Sequence, residues 1–140
     1  MGQRKKIWAM PSKTLYSWQK GAYDTRYTIH PAESAVWQRG FMLYMILGTL
    51  ASDSGARRAA ARPEHLDRLR ALRDEGRLVL AGPCPAVDSP DPGPAGYNAS
   101  LIVAEFPSLA AAHTWASEDP YARAAVYEDV AVRPFCQVLP

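Results

Sequence analysis

Residues 62–100, RPEHLDRLRALRDEGRLVLAGPCPAVDSPDPGPAGYNAS, decide the fold because one uninterrupted stretch holds a helix, a strand and the return to a third strand. Leu66, Leu69 and Leu72 make an apolar stripe, and Glu64, Asp67, Arg70, Arg73 and Asp74 occupy the remaining face. That pattern predicts an amphipathic helix from about Arg58 or Pro63 to Glu75. Pro63 is expected at an early position, where a missing N–H costs nothing, and Gly76 is the expected stop. Leu78–Ala81 reads as a short strand. The segment from Gly82 to Gly96 has five prolines and three glycines, which predicts an irregular loop.

Outward from this stretch the pattern stays regular. MLYMILGTL, residues 42–50, is an almost continuous apolar run of strand length. Tyr97–Phe106 (YNASLIVAEF) predicts another strand, and Ser108 is a suitable N-cap for a helix to Ser117. Asp119 and Pro120 start a further helical turn toward Tyr127. Glu128–Leu139 reads as a closing strand with Pro134 marking an edge or bulge. The order is β-α-β-β-α-β, an α+β, ferredoxin-like arrangement with a four-stranded antiparallel sheet and both helices on one face. Strands as apolar as 42–47 and 101–104 have a second face to bury. A homodimer is the economical solution, with an N-terminal cover as the alternative.

The chain divides near residue 41. Residues 1–41 carry seven Lys/Arg against two acids and mix them with Trp8, Tyr16, Trp18, Tyr23, Tyr27 and Trp37. Residues 42–140 carry nine Lys/Arg against twelve acids. The first segment is expected to be an extension, and the second a single domain. Its mild acidity argues against a nucleic-acid partner, although basic residues interleaved with aromatics in the leader are a weaker pointer to one. The longest apolar run is far short of the roughly 20 residues that span a bilayer. No signal peptide is apparent, and a cytoplasmic protein with no membrane partner is expected. Cys84 and Cys136 match no zinc or redox spacing. No metal-ligand pair, phosphate-binding loop or nucleophile elbow is present, so no metal and no cofactor are expected.

Two residues suggest chemistry. On a helical wheel His65 falls within about 40° of Leu69 and Leu72, on or beside the buried face. An imidazole there is a candidate general acid or base, because it exchanges protons near neutrality. The structural alternative is a core-edge histidine satisfied by one hydrogen bond. Asp88 lies in the proline-stiffened loop and is the carboxylate expected to orient His65. Asp91, before Pro92 and Gly93, suits a turn role better. Cys84 is expected as a small apolar filler, Tyr121 as a possible pocket wall, and His113 as a surface residue.

Those residues carry a resemblance. MLYMIL, RPEHLDRLRALRDEGRLVLAGP, PAVDSPDPGPAG, SLIVAEF and DPYARAAVYEDVAVRPF, in that order, make the span from Met42 to Leu139 similar to the YciI-like (YCII-related) family. The resemblance implies a dimeric α+β barrel built from ferredoxin-like units, with His65 and Asp88 as the catalytic pair. It implies a pocket lined by Gly82, Pro83, Cys84, Ser89, Asp119, Pro120 and Tyr121. Many relatives have a methionine-like residue where this chain has Cys84, so packing there is expected to differ. The implied activity is a lyase, isomerase or dehydrochlorinase-like proton transfer on a small molecule. A non-catalytic dimeric module that binds a metabolite or accompanies another protein is the alternative. Residues 1–41 fall outside the resemblance.

Overall fold

The computed structural model describes residues 40–140, so the expected extension lies outside the described residues except for Gly40 and Phe41. Residues 42–137 form one compact unit. Its elements are β1 (Met42–Leu50), α1 (Gly55–Asp74), β2 (Leu78–Pro85), a 3-10 turn (Gly93–Ala95), β3 (Tyr97–Phe106), α2 (Leu109–Ser117), α3 (Pro120–Arg123) and β4 (Tyr127–Phe135). The sheet order is β2-β3-β1-β4, and every neighbouring pair is antiparallel. Each βαβ unit therefore skips one strand, which is the expected split ferredoxin-like topology.

Alternation sets the layers. Tyr44 and Ile46 of β1 and Ile102, Ala104 and Phe106 of β3 face the helices, packing against Leu69 and Leu72 of α1 and Ala112 and Ala116 of α2. The registers Tyr44↔Ala104 and Ile46↔Ile102 put these side chains side by side. The intervening residues, Leu43, Met45, Leu47, Leu101 and Val103, share the opposite face, and Leu43 and Val103 are themselves buried. Arg68 ties the two long helices together: Nη2 donates to the Trp115 carbonyl at 2.9 Å while the guanidinium lies 4.5 Å from the indole.

The helix ends follow local chemistry. Gly76, at φ +71°, closes α1: its N–H donates to the Arg73 carbonyl and that of Arg77 to the Leu72 carbonyl, a Schellman pair. Ser108 caps α2 by accepting from the Ala111 N–H at 3.0 Å. Three boundaries differ from expectation. First, α1 starts at Gly55, so Pro63 is its ninth residue and lies inside the helix. Pro63 cannot serve the Ala59 carbonyl, but Ala59 is on the exposed side, where water substitutes. Second, β2 continues through Gly82 to Pro85 instead of breaking at Gly82. It is an edge strand, so prolines 83 and 85 can turn their missing donors away from β3. Third, the helical turn after Asp119 ends at Arg123 and β4 begins at Tyr127.

Candidate functional site

Two elements far apart in sequence, α1 and α3, pack against each other. His65, on the third turn of α1, is buried at 4% exposure, and Asp119, the N-cap of α3, at 2%. His65 Nδ1 lies 2.8 Å from Oδ1 and 3.0 Å from Oδ2 of Asp119. Oδ1 also accepts from the Tyr121 N–H at 2.9 Å. A carboxylate only accepts, so Nδ1 carries the ring hydrogen and Nε2 is left as the basic nitrogen. One side chain thus caps α3 and fixes the histidine tautomer.

Tyr121 completes the unit. Its ring stacks on His65, with centroids 4.0 Å apart and planes 9° from parallel, and it meets Tyr127 edge-on at 5.6 Å. The Tyr127 ring lies directly over Gly48, where any Cβ would overlap it. Burial pushes the Tyr121 phenol above its ordinary pKa, with Arg58 and Arg62 pulling the other way. Burial raises Tyr127 more strongly, against a smaller opposing effect of a hydrogen bond to Ser100. Arg58 lies 5.0 Å from the Tyr97 ring centroid and 5.9 Å from that of Tyr121. Tyr127 also lines a groove of about 400 Å³ with His113, Ala116, Ser117, Ala122 and Asp129 among others, and His65 is not part of its lining.

The structure gives His65 a different carboxylate from the expected one. Asp88 is exposed on the loop after β2, and Asp119 holds the imidazole. The reason is connectivity: β2 runs to Pro85 along the sheet edge, whereas α3 lies against α1. Asp91 has the turn role anticipated for it, accepting from the Gly93 N–H at 3.2 Å, and Ser89 Oγ donates to the Asp91 carbonyl at 2.8 Å. Of the expected pocket residues, Asp119, Pro120 and Tyr121 are buried at the site. Gly82, Pro83 and Cys84 lie on β2, paired with Leu101, Ser100 and Ala99. Cys84 and Cys136 are free thiols. Sequence reading passed over Arg58 and Tyr127. Arg58 had a usable signal, because it precedes His65 by seven residues and shares its helical face.

The described residues contain no helix long and apolar enough to cross a membrane. A model of the YCII-related domain matches residues 42–136. The Protein YciI of Escherichia coli is 56% identical over 97 residues, covering 69% of this chain and 99% of its own. An uncharacterised protein of Haemophilus influenzae is 44% identical over the same length and coverage. The fold is similar to that of a 5-chloro-2-hydroxyhydroquinone dehydrochlorinase from Burkholderia phenoliruptrix in complex with 2,5-dihydroxybenzoquinone. The TM-score is 0.59 at 20% identity, over 68% of this chain and 94% of that one.

Proposed function

The chain belongs to the YCII-related family, and on that footing we propose that it is a small-molecule enzyme in which His65 moves a proton under the control of Asp119. The observation that carries this reading is the two-oxygen clasp on Nδ1, at 2.8 and 3.0 Å, between two buried side chains. A carboxylate in that position holds one tautomer and stabilises the imidazolium formed when Nε2 accepts a proton. Asp119 takes the orienting role expected of Asp88, and Asp88 is assigned no part in the transfer.

The reaction class is elimination or isomerisation beside a polarised ring. In the dehydrochlorinase-like form, a substrate proton passes to His65 Nε2, the electrons left behind form the new π bond, and the carbon–chlorine pair departs as chloride. The fold shared with a dehydrochlorinase supports the choice of substrates to try. The same proposal has the protein acting in the cytoplasm as a homodimer joined through the half-buried Met45, Leu47 and Leu101 on the sheet face away from the helices.

Chloride release and ultraviolet spectra from chlorinated hydroxyhydroquinones test the reading. Turnover by the wild type that falls about 10²–10⁴-fold in His65→Gln is expected, and turnover retained by that variant refutes it. The same burial favours one rival, a metabolite-binding module in which His65 and Asp119 only brace α3. That rival requires ligand binding without turnover in the wild type.

A further inference from the structure

We propose that Arg58 is the anion-binding residue of this site, so that the ligand is taken as an ionised phenol, enol or carboxylate. The inference rests on the reading of His65 and Asp119 as the reacting pair and names the substrate class that fits beside it.

Arg58 and Arg62 differ from the other arginines of α1 and its C-terminal turn. Neither has an ion pair or side-chain hydrogen bond among the described residues, and of the two only Arg58 is half-buried, Arg62 being exposed. Arg57 pairs with Asp53, Arg70 with Asp67, Arg73 with Asp74 and Arg77 with Glu75, at 2.7–2.9 Å. Arg68 donates to the Trp115 carbonyl. Among the described residues Arg58 has no carboxylate and no side-chain hydrogen bond. It is half-buried, and its Nε is sealed from solvent without a partner. A cation drawn partly out of water with no counter-charge costs free energy that its contacts with the Tyr97 and Tyr121 rings offset only in part. The position nevertheless calls for it: 58, 62, 65, 69 and 72 follow the +4, +3, +4, +3 spacing of one helical face. Arg58 thus continues the stripe on which His65, Leu69 and Leu72 are buried.

Its surroundings fix how a ligand would be held. The guanidinium lies over Tyr97 at 5.0 Å and near Tyr121 at 5.9 Å, and Tyr121 is the ring stacked on His65. Aromatic contacts orient the planar group and leave its edge N–H donors free for a bidentate oxyanion. Seven residues of helix place Arg58 and His65 about 10 Å apart along the axis. That span suits a single-ring ligand with its anionic oxygen at Arg58 and its reacting edge toward His65. Arg58 and Arg62 also oppose the burial effect on the Tyr121 phenol, which marks the same place as electropositive.

The test is calorimetric titration of the full chain at neutral pH with 2,5-dihydroxybenzoquinone, an acidic enol ionised at that pH, and with its neutral 2,5-dimethoxy ether. The wild type is expected to bind the anion and to prefer it to the ether. Arg58→Met should lower affinity for the anion about 10–100-fold and leave the weak ether binding unchanged. Arg58→Lys should fall between them. Without ligand, Arg58→Met should melt no lower than the wild type, whereas loss of a merely structural arginine would lower the melting temperature. His65→Gln should keep anion binding, so failure of the proton-transfer reading shows as lost turnover only. Equal affinity of the wild type and Arg58→Met for the anion, preference for the ether, or no binding of either probe at millimolar concentration overturns the proposal.

Discussion

Replacing Asp119 separates the observed carboxylate from the expected one. Asp119→Ala removes an N-cap from α3, which costs about 0.5–2 kcal/mol. It also leaves the His65 Nδ1–H buried without an acceptor, a further 1–3 kcal/mol or so. Both oxygens are within 3.0 Å of Nδ1 and the pair is almost fully buried, so solvent cannot replace what is lost. The total, about 1.5–5 kcal/mol, lowers the melting temperature of a domain near 100 residues by roughly 7–25 °C. Asp119→Asn keeps a capping oxygen and one acceptor. It should lose about 1 kcal/mol while ceasing to stabilise a protonated His65. Asp88→Asn changes an exposed loop residue and should stay within about 0.5 kcal/mol of the wild type. Thermal unfolding by circular dichroism gives the three values, and long-range proton–nitrogen spectra of the His65 ring report the tautomer. The reasoning is refuted if Asp88→Asn matches Asp119→Ala in melting temperature, or if it alone changes the His65 tautomer.

Gly48→Ala places a methyl group where the Tyr127 ring lies, so the ring must move. A loss of about 1–3 kcal/mol, read by denaturant unfolding, is expected, and in a Tyr127→Ala background the same Gly48→Ala change should cost less. Burial raises the Tyr127 pKa, so the folded state retains a proton that the unfolded chain releases near pH 10. Its stabilising effect is present below that pH and falls above it by up to about 1.4 kcal/mol per pH unit. Melting curves between pH 8 and 11.5 should therefore decline less steeply in Tyr127→Phe. Leu72→Ala, in the core against the sheet, should cost about 2–5 kcal/mol by the same assay. Light scattering of a chain lacking residues 1–41 should still give a dimer if the Met45–Leu101 face joins two copies, and a monomer contradicts that.

The fold was legible because its signals are local and repeated. Met42–Leu50 and Tyr97–Phe106 coincide with β1 and β3, since their apolar content leaves no competing period. Ser108 capped the predicted helix because a hydroxyl before an apolar run satisfies a free N–H whatever the tertiary context. Boundaries failed where a breaker's effect depends on its place in the sheet. Pro83 and Pro85 disrupt a strand only if a partner needs their N–H, and an edge strand does not ask for it, while Pro63 frees a carbonyl on the exposed helix side where water can serve it.

The site was half legible for a related reason. The position of His65 follows from the period of its own helix, so one residue's burial could be read from residues 65–72 alone. Its partner could not, because 54 residues separate His65 from Asp119 and only the packing of α3 against α1 closes that distance. Asp88 was attractive because it is nearer in sequence and sits among prolines that would hold it still. Asp119 was expected to start a helical turn before Pro120 and, through the resemblance, to line the pocket, with nothing in the sequence tying it to His65. A cap uses one oxygen lone pair, however, and a carboxylate has about four acceptor sites. Oδ1 serves the Tyr121 N–H and His65 together, and Oδ2 serves His65 again. A buried N-cap aspartate that precedes an aromatic residue therefore still has acceptor capacity to place. The ring that follows it, stacked at 4.0 Å, shows where that capacity goes.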